Sequence, residues 1–284
     1  MSNETSAWIK LWNFQDPAAT RAKFLAVLPE TEGENRLELQ TQIARTLGLE
    51  KKFDEAHALL DEVEGALTDE TRLARLRYLL ERGRAFNSGG TPDEARPLFD
   101  QAWELGKAIP HHSLAVDAAH MIAIVVPPEE KTAWNVAGME YAEQSGDKEA
   151  AGWLGTFYNN MGWDAHEDGD YARALELHEK CWAWHRERST GGGERIAKWS
   201  VAKQLRFLDR GAEALPMQEE LLSEYAAEEP GGEGFVHEEL AELHHAAGDV
   251  STAKPHFRDA HELLKQYNWI EEPRMKRLFD LGTA

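Results

Sequence analysis

Alanine returns at a fixed interval along this chain and brings a pattern with it. Ala56 and Ala95 are 39 residues apart, Ala174 and Ala214 are 40 apart, and Ala214 and Ala253 are 39 apart. Each alanine closes a block in which a turn residue precedes short polar or acidic residues and an apolar helical stretch follows. The blocks are Lys52-Phe53-Asp54-Glu55-Ala56, Thr91-Pro92-Asp93-Glu94-Ala95, Gly169-Asp170-Tyr171-Ala172-Arg173-Ala174, Arg210-Gly211-Ala212-Glu213-Ala214 and Gly248-Asp249-Val250-Ser251-Thr252-Ala253. The 79 residues between Ala95 and Ala174 hold one further unit of the same size, with Lys131 at the marker position, so six units are expected. A period of this length belongs to arrays in which each supersecondary unit buries its apolar face against its neighbours.

A second set of positions keeps the same register. Twelve residues before each marker stand Ala44, Gly83, Ala119, Gly162, Ala202 and Ala241, all small. Small residues let two antiparallel helices approach closely, while Leu47, Phe86, Ile122 and Leu205, three residues further on, fill the space beside them. Each unit therefore reads as a helical hairpin. Gly89-Gly90, Pro127-Pro128, Gly191-Gly192-Gly193 and Pro230-Gly231-Gly232-Glu233-Gly234 separate the helical stretches as loops. Met121 to Val126 is the one run that could be a buried strand; with no partner strand it reads as the end of an apolar helix, and the fold class is all-α. Pro97, Pro216 and Pro255 recur two residues after the marker, and each is expected in the first turn of a second helix, where a missing N–H costs little.

With small residues at two spaced positions of each hairpin and Phe99 and Phe257 four residues after the marker, the chain resembles the tetratricopeptide repeat family. Glu94-Ala95-Arg96-Pro97-Leu98-Phe99 and Tyr158-Asn159-Asn160-Met161-Gly162 look like the longer-period subtype of kinesin light chains. The resemblance covers about Leu37 to Gln266 and departs from the pattern in the third unit, where Lys131 replaces Ala and two prolines replace the turn. It implies an α-α superhelix of about six hairpins whose concave groove holds a protein or an extended peptide. Trp8, Leu11, Trp12 and Phe14 before the Asp16-Pro17 helix start, and Pro273 with Leu278 and Phe279, supply caps for the two ends. The expected organisation is residues 1–36 as N-terminal capping helices, 37–268 as the array and 269–284 as the C-terminal cap.

Charge and composition restrict the function. Thirty-one Lys and Arg against 51 Asp and Glu leave a net charge of -20, which repels polyanions, so nucleic acid is not expected as a partner. Mean hydropathy is -0.58 and no run approaches a bilayer-spanning length, so no membrane association is expected, and without a visible export signal the expected location is cytoplasmic. Cys181 is the single cysteine, which rules out an internal disulfide framework and multi-cysteine metal sites.

No catalytic seat is legible. His237-Glu238-Glu239-Leu240-Ala241 starts like a zinc-peptidase helix but has Ala where the second His must stand. Glu238, Glu242 and His245 share a helical face, yet with so many acids on the chain a solvated or partner-facing stripe is the stronger reading. His178, Cys181 and His185 also share a face; His178 takes the usual aromatic place and Cys181 a small buried one, so packing is expected of both. Phosphate-cradling loops are absent, since Gly191-Gly192-Gly193 follows a helix. The chain is expected to be no enzyme, with no cofactor and no metal.

The informative residues lie on the stripe of each first helix that does not face its own hairpin. Reading that register gives a candidate groove of Arg45, Arg77, Arg84, His120, Asn159, Trp163, His166, Trp199, Lys203, Arg206, Glu238 and Glu242. Its Arg and Lys residues outnumber its acids on a strongly acidic chain, and aromatic and Arg side chains are what interface centres favour. The expectation is a scaffold or adaptor whose groove grips a protein or extended peptide carrying acidic groups; packing of the stripe against a neighbouring helix is the competing reading. The functional alternative is a regulator that senses a short peptide or small anion.

Overall fold

The computed structural model describes residues 7–109, 111–227 and 233–283; the first six residues and positions 230–232 of the expected glycine-rich loop lie outside them. Among the described residues there are fourteen α-helices and no strand. The chain divides into two compact units, residues 1–157 and 158–284.

The first unit opens with a 3-10 turn (Ala7–Leu11) and α1 (Pro17–Val27), whose N-cap Asp16 accepts from the Ala19 N–H at 2.9 Å, the start that the Asp-Pro pair announced. Trp8 and Phe24 pack edge to face and, with Leu39 and Ile43 of α2 (Gly33–Leu49), close that end. Three hairpins follow: α2 with α3 (Phe53–Ala66), α4 (Arg72–Ser88) with α5 (Pro92–Ala108), and α6 (His112–Val125) with α7 (Pro128–Ser145). The apolar run before the double proline is the end of α6, as its lack of a partner strand required.

Helix α8 (Leu154–Glu167) begins at the close of the first unit and pairs with α9 (Tyr171–Glu187) in the second. There α10 (Gly191–Phe207) pairs with α11 (Gly211–Ala227), and α12 (Glu233–Ala246) with α13 (Val250–Leu264); α14 (Glu272–Thr283) ends the chain.

The register read from the small residues is the packing register. Ala44, Gly83, Ala119, Gly162, Ala202 and Ala241 are all buried, as are the marker alanines. A Cβ on Gly83 would stand 2.5 Å from the Phe99 ring, and one on Gly162 would stand 2.6 Å from the His178 ring, so these helices touch where only hydrogen fits. The third hairpin keeps step: Asn135, Gly138 and Ala142 are buried at the spacings that Phe99, Ala102 and Gly106 have in the second, although Lys131 holds the marker. Its turn is what differs. In the other five hairpins the residue five before the marker is left-handed: Lys51 (φ 60°), Gly90 (94°), Gly169 (79°), Asp209 (58°) and Gly248 (80°). In the third that place is Val126, which is extended at φ -80° and leads into Pro127-Pro128.

One local expectation is corrected. Pro97, Pro216 and Pro255 lie one turn deeper than the helix start, because α5, α11 and α13 already begin at Pro92, Gly211 and Val250. The acidic or small block before each marker alanine is itself helical, so each proline removes one i to i−4 hydrogen bond.

Candidate functional site

The second unit holds an open cavity of about 760 Å³ bounded by α8, α10, α11, α12 and the start of α14 with the segment before it. Trp163, Ile196, Trp199, Tyr225, Phe235 and Trp269 form its walls, with Lys203, Arg274, His166 and Glu167 among the polar groups at its edge. Such a volume lined mostly by apolar side chains with a few polar groups is what ligand sites offer. The aromatic rings run in sequence: Trp163 to Trp199 at 5.8 Å between centroids, Trp199 to Phe235 at 6.0 Å, and Phe235 stacked on Trp269 at 5.9 Å. Trp199 donates its indole N–H to the Phe235 carbonyl at 3.2 Å, which fixes that wall. Lys203 Nζ lies 5.0 Å over the Trp199 ring and the Arg274 guanidinium 5.7 Å over Phe235. Ile196 and Trp269 are 55% and 63% exposed, so apolar surface faces water here instead of being spent on the fold.

Beneath the rim, His166 Nδ1 stands 2.8 Å from Gln204 Oε1, and the His166 ring meets Trp163 and Phe207 edge to face. His178 lies behind Trp163, with 5.0 Å between the rings. Burial, with a smaller contribution from His166, pushes the His178 imidazole down to about 4, so it is neutral near pH 7.

The groove cations are already partnered, which corrects the expectation that they stand ready for a carboxylate. Arg45 reaches Glu81 at 3.1 Å across one repeat; Arg84 binds Glu81 at 2.8 Å and Asp117 of the next first helix at 2.5 Å; Arg77 binds Glu38 at 2.8 Å. In the second unit Lys203 and Arg206 share the buried Glu239 at 2.7 and 2.6 Å. Glu238, expected in the groove, is buried under a two-pronged contact with Arg274, and Glu242 is held by Arg277 at 3.0 Å on both oxygens. Burial alone would raise the Glu239 carboxyl, yet Lys203 and Arg206 outweigh it and hold it below the usual range; for Glu38 burial wins over Arg77 and the carboxyl is raised. The reason for the pairing is geometric. Glu81, Asp117 and Glu239 share one first-helix position that turns toward the preceding repeat, and the cations lie opposite it.

The charge ladder is interrupted between Asp117 and Lys203. His120 and Trp163 take the place that Arg45, Arg84 and Lys203 take in their repeats, and Asn160 and Ser200 stand where the acids would be. Of the twelve expected groove residues, Trp163, His166, Trp199 and Lys203 therefore meet in one place. Arg206 stays beside it through Glu239, while Asn159 makes a 3.4 Å bond to the side chain of Asn160. Arg45, Arg77, Arg84 and His120 belong to the first unit, where the His120 ring packs on Trp153 and Phe157. Sequence reading missed Tyr225, Trp269 and Arg274. Extending the repeat register by 39 residues from Phe235 lands on Arg274, so the signal for that one was present.

Cys181 is buried as expected, and burial pushes its thiol up to about 11, far from a nucleophile's range. Among the described residues no group of His, Cys, Asp and Glu converges as a metal site, and Glu238 and Glu242 are committed to Arg274 and Arg277. No helix of the described residues is long and apolar enough to cross a membrane.

Residues 154–188, α8 and α9 with the turn after them, match the tetratricopeptide repeat family model. These two helices form a tetratricopeptide repeat, and the described residues have the fold of a tetratricopeptide repeat solenoid. Three solved structures show the same fold over nearly the whole chain. The apo form of RapI aligns at a TM-score of 0.76 and 12% identity, over 98% of this chain and 80% of that one. A signal transduction ATPase with numerous domains from Pyrococcus horikoshii, which has a tetratricopeptide repeat sensor, aligns at 0.75 and 14% identity over 96% of this chain; the match spans only 42% of that protein. The apo form of the quorum sensor NprR from B. thuringiensis aligns at 0.58 and 13% identity, over 96% of this chain and 84% of that one. No curated protein matches the sequence.

Proposed function

We propose that this tetratricopeptide repeat protein is a non-enzymatic scaffold that binds a protein or an extended peptide, with the aromatic cavity of the second unit as the anchoring point. The observation that carries the reading is the break in the ladder. At Arg45, Arg77, Arg84, Lys203 and Arg206 the stripe is held in ion pairs that satisfy one another, whereas Trp163, Trp199 and Phe235, with Trp269 beside them, present unspent aromatic area around an open cavity. An apolar or aromatic side chain fits the cavity, and burial there supplies about 25 cal/mol per Å² of apolar surface removed from water. Lys203 and Arg206 share the one carboxylate of Glu239, so an acidic group beside the anchor finds Lys203 only half compensated.

A second reading, a ligand-responsive regulator, draws support from the similar structures, two of which are described as a quorum sensor and as carrying a repeat sensor. Both readings place the ligand in the same cavity. The test is selection of peptides from a random display library on the full chain. Enrichment of an apolar or aromatic residue flanked by Asp or Glu, with binding lost in a Trp199→Ala, Trp269→Ala double variant, supports the proposal. Selected peptides that bind the double variant as tightly as the parent contradict it.

A further inference from the structure

The sixth hairpin is closed differently from the other five. At the positions nine residues before and three residues after the marker, the other five hairpins carry Leu47 with Leu59, Phe86 with Leu98, Ile122 with Trp134, Ala165 with Leu177, and Leu205 with Met217. All are apolar. In the sixth the pair is His244 with His256, and a third imidazole, His237, joins them. The His244 and His256 rings lie parallel with centroids 6.0 Å apart, and His237 Nδ1 stands 2.8 Å from His256 Nδ1. Two nitrogens at that distance share one proton; a second proton puts two imidazolium charges in contact.

The surroundings make a second proton costly without excluding it. Asp259 of α13 lies 4.0 Å from His237, Asp249 at the α13 N-cap lies 3.8 Å from His244, and Glu233 of α12 and Glu219 of α11 add weaker negative fields. Burial, and for His256 also the two neighbouring imidazoles, keeps His237 and His256 below the ordinary histidine value of 6.5.

His237 is flanked in α12 by residues of the cavity. Phe235 and Val236 line it, and Glu238 holds the lining residue Arg274. We infer that the His237–His244–His256 cluster is an acid-sensitive latch: when a second proton enters it, α12 and α13 separate and the Phe235 wall of the binding cavity is lost. The sign follows from linkage. The His237–His256 pair favours the closed hairpin fully above the ordinary histidine value, and this contribution falls as pH drops below it, because the opened hairpin takes up more protons. The inference rests on the cavity reading for its consequence, and on the hairpin geometry alone for the latch itself.

The test uses the full chain and a variant carrying the pair of the preceding hairpin, His244→Leu with His256→Met. Hydrogen exchange, corrected for the intrinsic pH dependence, is followed at pH 7.5 and 5.5 in α12–α13 and in α9–α10 of the same sample. Expected is a loss of protection at pH 5.5 about tenfold greater in α12–α13 than in α9–α10 for the parent, and no such excess in the variant. Binding of the probe 8-anilinonaphthalene-1-sulfonate, with Trp199→Ala as the control for the site, should weaken severalfold over the same range in the parent only. Equal loss of protection in parent and variant overturns the latch. A latch that opens while probe affinity at the Trp199 site stays constant overturns its link to the cavity and leaves the binding proposal to its own experiment. If the double variant does not fold, His256→Gln alone must reduce the excess loss; an unchanged excess overturns the inference.

Discussion

The two units apply one repeat position to opposite ends. In the first, Arg45, Glu81, Arg84 and Asp117 form a closed chain of ion pairs in which each charge is answered by the next repeat. In the second, that position carries Trp163 with Ser200 where the acid would be, and an aromatic cavity opens before the Lys203–Glu239 pair takes up the pattern again. A repeat array need only keep its hairpin core in register; the stripe that faces neither hairpin partner is free to stabilise the stack or to wait for a ligand. Charge on the stripe is therefore a poor sign of a binding site when the adjoining repeat brings an acid to meet it. Aromatic area left facing water is the better sign.

The largest expected effect breaks the closed side of this comparison. Glu81→Ala leaves Arg45 without its carboxylate and Arg84 with Asp117 alone in a mostly buried setting and should cost about 3 to 5 kcal/mol, read by urea unfolding, while Trp269→Ala in the cavity should leave stability nearly unchanged. Similar losses for both would erase the distinction. The same argument shows that removing Lys203 and Arg206 together is a poor probe of binding, because Glu239 would be left buried and unpaired.

Next comes His178, which occupies the slot that Phe99 and Phe257 fill in other repeats and whose ring nitrogens have no protein hydrogen-bond partner. Its value of about 4 in the fold against 6.5 unfolded means its neutral form is favoured in the fold. Stability linked to it is complete above 6.5 and declines as pH falls toward 4, by on the order of 3 kcal/mol in all at ~1.4 kcal/mol per unit. His178→Phe should raise stability at pH 7 and remove this part of the acid sensitivity; an unaltered pH dependence of unfolding would contradict the assignment.

Gly83→Ala should cost about 1 to 3 kcal/mol, because the added methyl meets the Phe99 ring, whereas Gly152→Ala, with open space around it, should be near neutral; thermal melting of the pair checks this. The smallest change expected is a gain. Asp209→Gly relieves a left-handed residue at the position where Gly90, Gly169 and Gly248 stand, and should stabilise by up to ~1 kcal/mol, read as a small rise in Tm.

The hairpins and their register were legible because close helix approach leaves a mark at one residue: Gly83 and Gly162 cannot be anything larger. Even Lys131 kept its place, since Asn135, Gly138 and Ala142 carry the third hairpin's packing. The site was legible only in part. A single-helix stripe shows which residues leave the hairpin, but Glu81, Asp117 and Glu239 lie one step round the helix and reach cations of the preceding repeat 33 to 36 residues away, a distance at which no local pattern speaks. Trp269 and Arg274 were assigned to a cap because they follow the last marker, although α14 takes the place of a further first helix and brings them to the cavity.

The central claim is that a ligand seats between Trp163, Trp199, Phe235 and Trp269. Nitrogen-15 NMR of the indole N–H groups, assigned by single Trp→Phe variants, tests it during titration with a peptide selected on the full chain. The account predicts that the Trp163, Trp199 and Trp269 signals shift together with one saturating dependence on peptide, while those of Trp8, Trp12, Trp103 and Trp134 in the first unit stay in place. Saturable binding that leaves the three cavity signals unmoved would contradict it.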